Sequence, residues 1–281
     1  MMRRVPTADL KLMKLPSRHQ LSSLPATPGW ISNGWPRTIS TMEQVGFSRP
    51  FRSSDLIRLC RWAGLCDDRR RGGGIAKAAL GRLAGMAARN GRSNRYHHAG
   101  HFAHVMMAAA VLACRARLDR ESHGLLVLAA LVHDLDHHGR RGKHHPQYAQ
   151  ERWSARVATR VLARHGADAR LGRRLARLIC ATAMTDDPFR HAILASDPVA
   201  RLLTDADIFA SLFYRRDVAM RLTRHLKLEQ GIGGRTGQML DSFVARMEHE
   251  GLASHAGREL LREVVAWRHP RRTVLTGKGW E

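Results

Sequence analysis

The sequence predicts an all-α protein, a compact bundle of many helices, and three observations support that prediction. Hydrophobic residues make up 44% of the 281 residues but aromatic residues only 6%, and Ala and Leu dominate the apolar set, as is typical of helices packed on helices. From residue 96 onward, apolar positions recur at helical spacing between short separators that contain Gly, Asp or Pro. We find no lasting two-residue alternation of the kind that marks a half-buried strand.

The helical pattern also divides the chain into segments. Residues 1–50 contain six prolines and no lasting period, which predicts a disordered basic leader. Residues 51–94 are predicted to be a helical extension interrupted by a basic, Gly-rich linker at 69–74. Residues 95–270 form the predicted main helical domain, and residues 271–281 form a tail. Eight helices are predicted in the main domain, near 96–117, 121–138, 147–165, 168–184, 198–213, 215–230, 235–250 and 256–267.

The net charge of +23 has two explanations that the sequence leaves open. Six of the 47 basic residues are Lys, which leaves 41 Arg, and these are spread along the chain. A phosphate-rich or nucleic-acid partner is one explanation, and the Arg-rich codon usage of a GC-rich genome is the other. Nucleic acid is therefore a possible partner, but not the favoured one.

The remaining bulk features favour a cytoplasmic protein. The four cysteines show no CxxC spacing, so neither a disulfide framework nor a zinc knuckle is expected. No apolar run approaches the roughly 20 residues needed to cross a bilayer, and no secretory signal is apparent at the N-terminus. Ala-rich helix surfaces leave a homodimer possible.

Three distant segments place metal-ligand side chains in apolar, helical surroundings. In the first, His97, His101 and His104 would share one face of a helix. In the second, His133, Asp134 and His137 follow an apolar run, with Asp134 about 100° around the helix from His133. The third places Asp207 on a mostly apolar helix. The segments are Tyr96–Val105, His133–Gly139 and Thr204–Phe209.

Each segment alone also has a purely structural interpretation. A single His on a half-apolar helix is usually a hydrogen-bonded core or surface residue, and we favour that interpretation for His104. Asp205 is expected to be a solvated residue or a helix cap. Asp134 is harder to explain in this way, because burial of a carboxylate is costly unless a partner or a metal compensates it.

The ligand types indicate which metals to expect. Imidazoles and carboxylates without thiolate suit Zn²⁺, Mn²⁺ or Fe²⁺ at one position. A second position, supplied mainly by a bridging carboxylate and water, suits Mg²⁺ or Mn²⁺. Two such ions can hold a hydroxide between them and neutralise phosphate oxygens. The sequence therefore predicts two divalent metal ions and hydrolysis of a phosphoester.

In this order, the segments resemble the catalytic domain of 3′,5′-cyclic nucleotide phosphodiesterases within the HD superfamily of metal-dependent phosphohydrolases. The resemblance covers about residues 96–250 and implies a compact multi-helix HD/phosphodiesterase-type domain. The matching stretches are Tyr-His-His-Ala-Gly-His-Phe-Ala-His-Val from Tyr96, His-Asp-Leu-Asp-His-His-Gly from His133, Ala-Thr-Ala-Met from Ala181 and Ala-Asp at Ala206.

The resemblance also implies a role for each matching residue. His97 would be the general acid that protonates the leaving O3′, and His137 and Tyr96 would contact or shape the substrate site. Asp134 would bridge the two metals. The ligands of the first metal would be His101, His133, Asp134 and Asp207.

Several positions depart from the family pattern. His98 stands where the family has Asn, His104 where it has Asp, His138 where it has Pro, and Ala183 where it has Asp. These departures leave the proposed metal ligands unchanged, so they bear on the identity of the substrate more than on the type of reaction. Gln238 and Phe243 are the candidates for reading a purine, but their spacing is unusual. An exposed Gln238 and a core Phe243 are the favoured alternative.

Three functions therefore compete. The first is a cyclic nucleotide phosphodiesterase or a related HD nucleotidase with a non-cyclic substrate. The second is a non-catalytic HD-fold module that binds nucleotide or RNA, which the positive charge favours and the complete ligand set opposes. The third, a DNA-binding helical protein with incidental histidines, is disfavoured because no helix-turn-helix pattern stands out.

Overall fold

The computed structural model describes residues 21, 24–46, 51–65, 75–90, 94–139 and 146–268. Within these ranges the chain forms thirteen α-helices and no β-strand, so the all-α prediction is confirmed. The helices are α1 Pro28–Asn33, α2 Ile39–Gly46, α3 Ser53–Trp62, α4 Lys77–Arg89, α5 Ala99–Arg115, α6 Arg120–Val132, α7 Ala149–Arg164, α8 Ala169–Ala181, α9 Pro188–Ser196, α10 Pro198–Phe213, α11 Arg216–Gln230, α12 Thr236–Glu250 and α13 His255–Arg268.

Helix α5 is the centre of the molecule. Every residue from Ala99 to Ala113 is buried, whichever way it points around the helix, as expected of a helix surrounded by others. It packs against α1, α6 and α10. Its run of small side chains at 108–110, all fully buried, lets neighbouring backbones approach closely. A metal-ligating side chain on α5 is therefore held on a rigid, enclosed helix.

Residues 24–46 depart from the disorder expected of the leader, because they fold as α1 and α2. Trp35 lies between them, makes ring contacts with Phe209 and Phe213 at 5.5 Å, and donates from Nε1 to the carbonyl of Leu260 at 3.1 Å. Ile31 and Met42 are fully buried. Helices of six and eight residues are too short to show a period, so only tertiary packing reveals them. Residues 1–20, the linker at 69–74 and the tail at 271–281 lie outside the described residues.

Local structure also differs from prediction near the histidines. Helix α5 begins at Ala99, so His97 precedes it, and α6 ends at Val132 rather than at residue 138. The prediction that His133 and His137 share a helix face is therefore wrong, as is the placement of His97 on the helix of His101. Helix α9, which the sequence analysis missed, begins after Asp187, whose side chain caps its first turn.

None of the described helices combines the length and the apolar character needed to cross a membrane.

Candidate metal centre and active site

Four side chains converge where α5, α6 and α10 meet. His101 lies in the first turn of α5, and His133 directly follows α6. Asp134 is the next residue, in a turn, and Asp207 lies in α10. The structure therefore brings together all four residues that the sequence analysis proposed as ligands. Their ligand atoms all lie within 4.8 Å of one another.

The donor atoms of this cluster have the spacing that a bound cation requires. The Nε2 atoms of His101 and His133 are 3.1 Å apart. Asp134 Oδ2 lies 3.4 Å and 3.2 Å from them, and Asp207 Oδ1 lies 3.2 Å and 3.3 Å from them. Donors about 2 Å from a zinc ion in a tetrahedral site are roughly 3.3 Å from one another. The residues present therefore fit a divalent metal ion.

The protonation of His133 supports the same conclusion. Its Nδ1 lies 3.0 Å from the carbonyl of Ala130, and a carbonyl can only accept, so Nδ1 carries the proton and donates. In the neutral imidazole, Nε2 then presents a lone pair to the cluster, as metal-bound histidines do. Two imidazole nitrogens that face each other in this way require a proton or a cation between them.

Burial and charge shift the pKa values of the cluster in opposite directions. Burial alone would lower the pKa of His101 and His133, but the neighbouring Asp134 and Asp207 raise both, that of His133 well above its usual range. Burial would raise the pKa of Asp134 and Asp207, but the imidazoles hold both well below their usual range. The two carboxylates are therefore ionised and ready to bind a cation.

A second cluster borders the first and consists of His97, His137 and Glu229, whose ligand atoms also lie within 4.8 Å of one another. Glu229 accepts a hydrogen bond from His97 Nδ1 and two from backbone amides, those of Tyr96 at 2.7 Å and His97 at 3.1 Å. The rings of His97 and His137 stack with centroids 3.6 Å apart. His97 Nε2 points to the metal cluster, 3.6 Å from Asp134 Oδ2.

The second cluster contains one anion and one neutral ring. Burial would raise the pKa of Glu229, but its hydrogen bond with His97 and the two amides lower it to about 2. Burial lowers the pKa of His137 to about 4, so His137 is neutral at pH 7. Glu229 is therefore a fixed carboxylate that orients His97. Sequence analysis missed it because it lies 132 residues from His97.

Asn90 fixes the backbone of both clusters, which also explains why the chain leaves the helical path after Val132. Its Nδ2 donates to the carbonyls of His97 at 3.0 Å and Asp134 at 3.1 Å, and its Oδ1 accepts from the amide of Asp136. Asp136 adopts a φ of 57°, which a helix does not allow. Asn90 was also missed by sequence analysis.

Two of the departures from the family pattern have structural explanations. His98 is the N-cap of α5 and accepts from the amide of Gly100 at 2.9 Å, a role that Asn also performs at helix N-termini. Burial lowers the pKa of His98 to about 4, which keeps its ring a neutral acceptor. His104 Nδ1 lies 2.8 Å from the hydroxyl of Tyr214, in agreement with the core interpretation of this residue.

The other predicted site residues have different surroundings. Tyr96 makes ring contacts with His97 at 4.8 Å and His101 at 4.9 Å, so it borders both clusters. Gln238 is exposed on α12, and Phe243 packs against the core, as the structural alternative predicts. Glu151 on α7 was not predicted. Burial raises its pKa, and the charges of the two aspartates of the metal cluster raise it further, which places this carboxylate in the electrostatic field of the site.

Comparisons with known proteins identify the fold. No protein-family model and no curated protein matches this chain. Among solved structures, it is similar to the phosphodiesterase domain of the RhoPDE fusion protein from the choanoflagellate Salpingoeca rosetta, with a TM-score of 0.57 at 15% identity. The match covers 83% of this chain and 99% of that domain. The fold is phosphodiesterase-like. At this identity the similarity concerns the fold, so the reaction has to be inferred from the side chains of the site.

Proposed function

We propose that this protein is a metal-dependent phosphohydrolase that cleaves a phosphodiester of a nucleotide, with 3′,5′-cyclic nucleotides as the first substrates to test. The observation that supports the proposal is the position of the His97–Glu229 pair. An imidazole held by a carboxylate stands 3.6 Å from a carboxylate of the metal cluster. A phosphoester that contacts both would have its leaving oxygen close to His97.

His101, His133, Asp134 and Asp207 would hold the first ion, and Asp134 would be shared with a second. When bound, such ions supply Lewis-acid activation of water and neutralisation of phosphate charge. Zn²⁺, Mn²⁺ or Fe²⁺ suits the nitrogen-rich position, and Mg²⁺ or Mn²⁺ suits an oxygen-rich second position.

The remaining chemistry belongs to the protein. His97 Nε2 would donate a proton to the leaving O3′, which is a poor leaving group as an alkoxide. Glu229 holds His97 Nδ1 and so keeps Nε2 directed at the metal cluster. Neutral His137, stacked on His97, limits the rotation of the ring and can donate to a phosphate oxygen. Tyr96 closes the side of the site next to His101.

The test compares two leaving groups in protein loaded with a defined metal. Cyclic AMP leaves an alkoxide that needs a proton, whereas bis(p-nitrophenyl) phosphate leaves a stabilised phenolate that does not. His97→Gln should therefore reduce the turnover of cyclic AMP by roughly 10²- to 10⁴-fold and that of the aryl ester far less, with the metal content unchanged. His249→Gln, at an exposed histidine on α12, is the matched control and should change neither rate.

The same assay separates the related alternatives. Turnover of nucleoside monophosphates but not of cyclic AMP would assign the site to a nucleotidase. Metal binding without turnover of any phosphoester would contradict the proposal and favour a non-catalytic binding module. An equal loss with both substrates in His97→Gln would contradict the role given to His97.

A further inference from the structure

Helices α7 and α8 form a strongly basic pair on the outside of the molecule. They pack against each other and are joined by the short segment 165–168. Together they carry eight Arg, and Glu151 is their only acidic residue. The arginines of α7 recur at every fourth position and are all exposed. They are Arg152, Arg156, Arg160 and Arg164.

A groove of about 490 Å³ runs between the two helices. Arg156 and Arg160 line it from α7 and Arg173 from α8. All three are exposed, and none forms an ion pair with another described residue. The one carboxylate on the groove, Asp168, caps α8 by accepting from the amide of Arg170 at 2.8 Å.

The remaining lining residues are small enough to let a phosphate-bearing chain approach the arginines. Most of them are small, and a Cβ added at Gly172 would lie 3.5 Å from the Thr159 side chain, so the two helices lie close together below the arginines. A step of four residues advances about 6 Å along a helix. Successive arginines of α7 therefore present their guanidinium groups as a ladder, and each can bind a phosphate through two parallel hydrogen bonds.

The lack of aromatic side chains in the lining of the groove limits which kinds of partner it can bind. None of its lining residues is aromatic, and the exposed aromatic side chain of these two helices, Trp153 on α7, lies outside the lining and donates from Nε1 to Asp136 at 3.1 Å. Single-stranded nucleic acid is usually bound by stacking of its bases on aromatic side chains. Attachment to a membrane surface usually needs exposed Trp, Phe or Leu beside the basic residues. A duplex keeps the faces of its bases stacked inside and presents a continuous phosphate backbone, which is what this groove can bind.

We propose that the α7–α8 groove binds the phosphate backbone of double-stranded nucleic acid without sequence preference. Arg156, Arg160 and Arg173 would be the phosphate contacts. This binding uses none of the residues of the metal centre, so it does not depend on the proposed hydrolysis. It would give part of the large positive charge of the chain a specific role.

The proposal is tested with the full chain and a fluorescein-labelled 20-base-pair duplex of arbitrary sequence, by anisotropy at several salt concentrations. EDTA in the buffer keeps the probe intact. The variant Arg156→Gln/Arg160→Gln/Arg173→Gln should bind at least about tenfold more weakly at low salt, and its slope of log K against log salt should be smaller by about 2.7. The single variant Arg160→Gln should reduce the slope by about 0.9.

A control with the same change of charge decides the result. Arg58, Arg235 and Arg262 are exposed arginines on other parts of the surface, and their triple Gln variant should keep most of the affinity. Equal losses in both triple variants would overturn the proposal, because the binding would then follow net charge alone. Tighter binding of a single strand than of the duplex, or arginine-dependent binding to phosphatidylserine vesicles without any to the duplex, would also overturn it.

Discussion

Glu229 serves both the backbone and the proposed chemistry of this site. One of its oxygens accepts from the amides of Tyr96 and His97, and the other binds the His97 ring. The same side chain therefore fixes both the backbone position of His97 and the direction of its imidazole. That fixed direction is what a general acid needs, because the proton has to be delivered to one particular leaving oxygen.

Replacement of this carboxylate by its amide separates these effects. Glu229→Gln keeps an oxygen for the backbone amides but removes the charge beside His97. We expect kcat for a cyclic nucleotide to fall about 10- to 100-fold, while KM and the metal content change little. Steady-state kinetics and elemental analysis measure the three quantities. Unchanged kcat would show that His97 works without this partner.

Asn90 gives a second prediction, because it joins three backbone positions. Asn90→Ala would leave the buried carbonyls of His97 and Asp134 and the amide of Asp136 without this partner. The expected cost is about 3 kcal/mol of unfolding free energy, at about 1 kcal/mol for each lost hydrogen bond. Chemical denaturation measures it. Asn90→Asp keeps an acceptor for the amide of Asp136 but turns a buried carboxylate oxygen toward the two carbonyls, so it should be no more stable than Asn90→Ala.

The contrast between predicted and missed residues has a physical reason. His133 and Asp134 follow an apolar run, so the cost of burying a carboxylate indicates a ligand from local sequence alone. Glu229 belongs to an amphipathic helix and Asn90 directly follows one, and a polar residue is unremarkable at either place. They join the site through contacts 132 and 44 residues apart, and only the folded chain brings those positions together.

A buried carboxylate, that of Asp205, fixes the N-terminus of helix α13. Asp205 on α10 accepts from the amides of Ala253 and Ser254, each at 2.8 Å, and from the Ser254 hydroxyl. The Ser254 oxygen in turn accepts from the amide of Gly257 at 2.9 Å. The first turn of α13 is therefore bound to α10. Asp205 is buried within α10, so the expectation of a solvated residue or a helix cap is wrong, and the residue that caps α13 is Ser254, which Asp205 holds in place.

Two glycine-to-alanine substitutions test this packing with opposite signs. A Cβ at Gly257 would lie 2.4 Å from Asp205 Oδ2, whereas a Cβ at Gly81 on α4 would meet no atom within 4 Å. Gly257→Ala should lower the unfolding free energy by about 1–3 kcal/mol. Gly81→Ala should raise it by about 0.5–1 kcal/mol, through helix propensity alone. Thermal or urea unfolding compares them, and the same sign for both would contradict this account.

Helices were predictable where an amphipathic or apolar period lasts for three turns or more. Helices α10, α11 and α12 begin within one residue of the predicted positions and end at them. The short elements were not predictable: α1, α2 and α9 have six, eight and nine residues. Likewise, the early end of α6 depends on the side chain of Asn90, the residue that follows α4.

The metal centre joins three helices that are distant in sequence. His101 comes from α5, His133 and Asp134 from the end of α6, and Asp207 from α10. These helices pack against one another at the centre of the molecule. A bound cation would therefore stabilise the packing of these three helices in addition to binding the substrate.

Removal of metal should consequently lower the stability of the whole molecule. A ligand that binds only the folded state at 100 times its Kd contributes about 2.7 kcal/mol, so EDTA should lower the Tm by about 5–10 °C for a chain of this size, and added Zn²⁺ or Mn²⁺ should restore it. Differential scanning calorimetry measures the shift. Asp207→Asn should make the Tm almost insensitive to EDTA, because a neutral amide binds the cation far more weakly than a carboxylate. His249→Gln should retain the full shift, and an EDTA response that survives in Asp207→Asn would place the metal elsewhere.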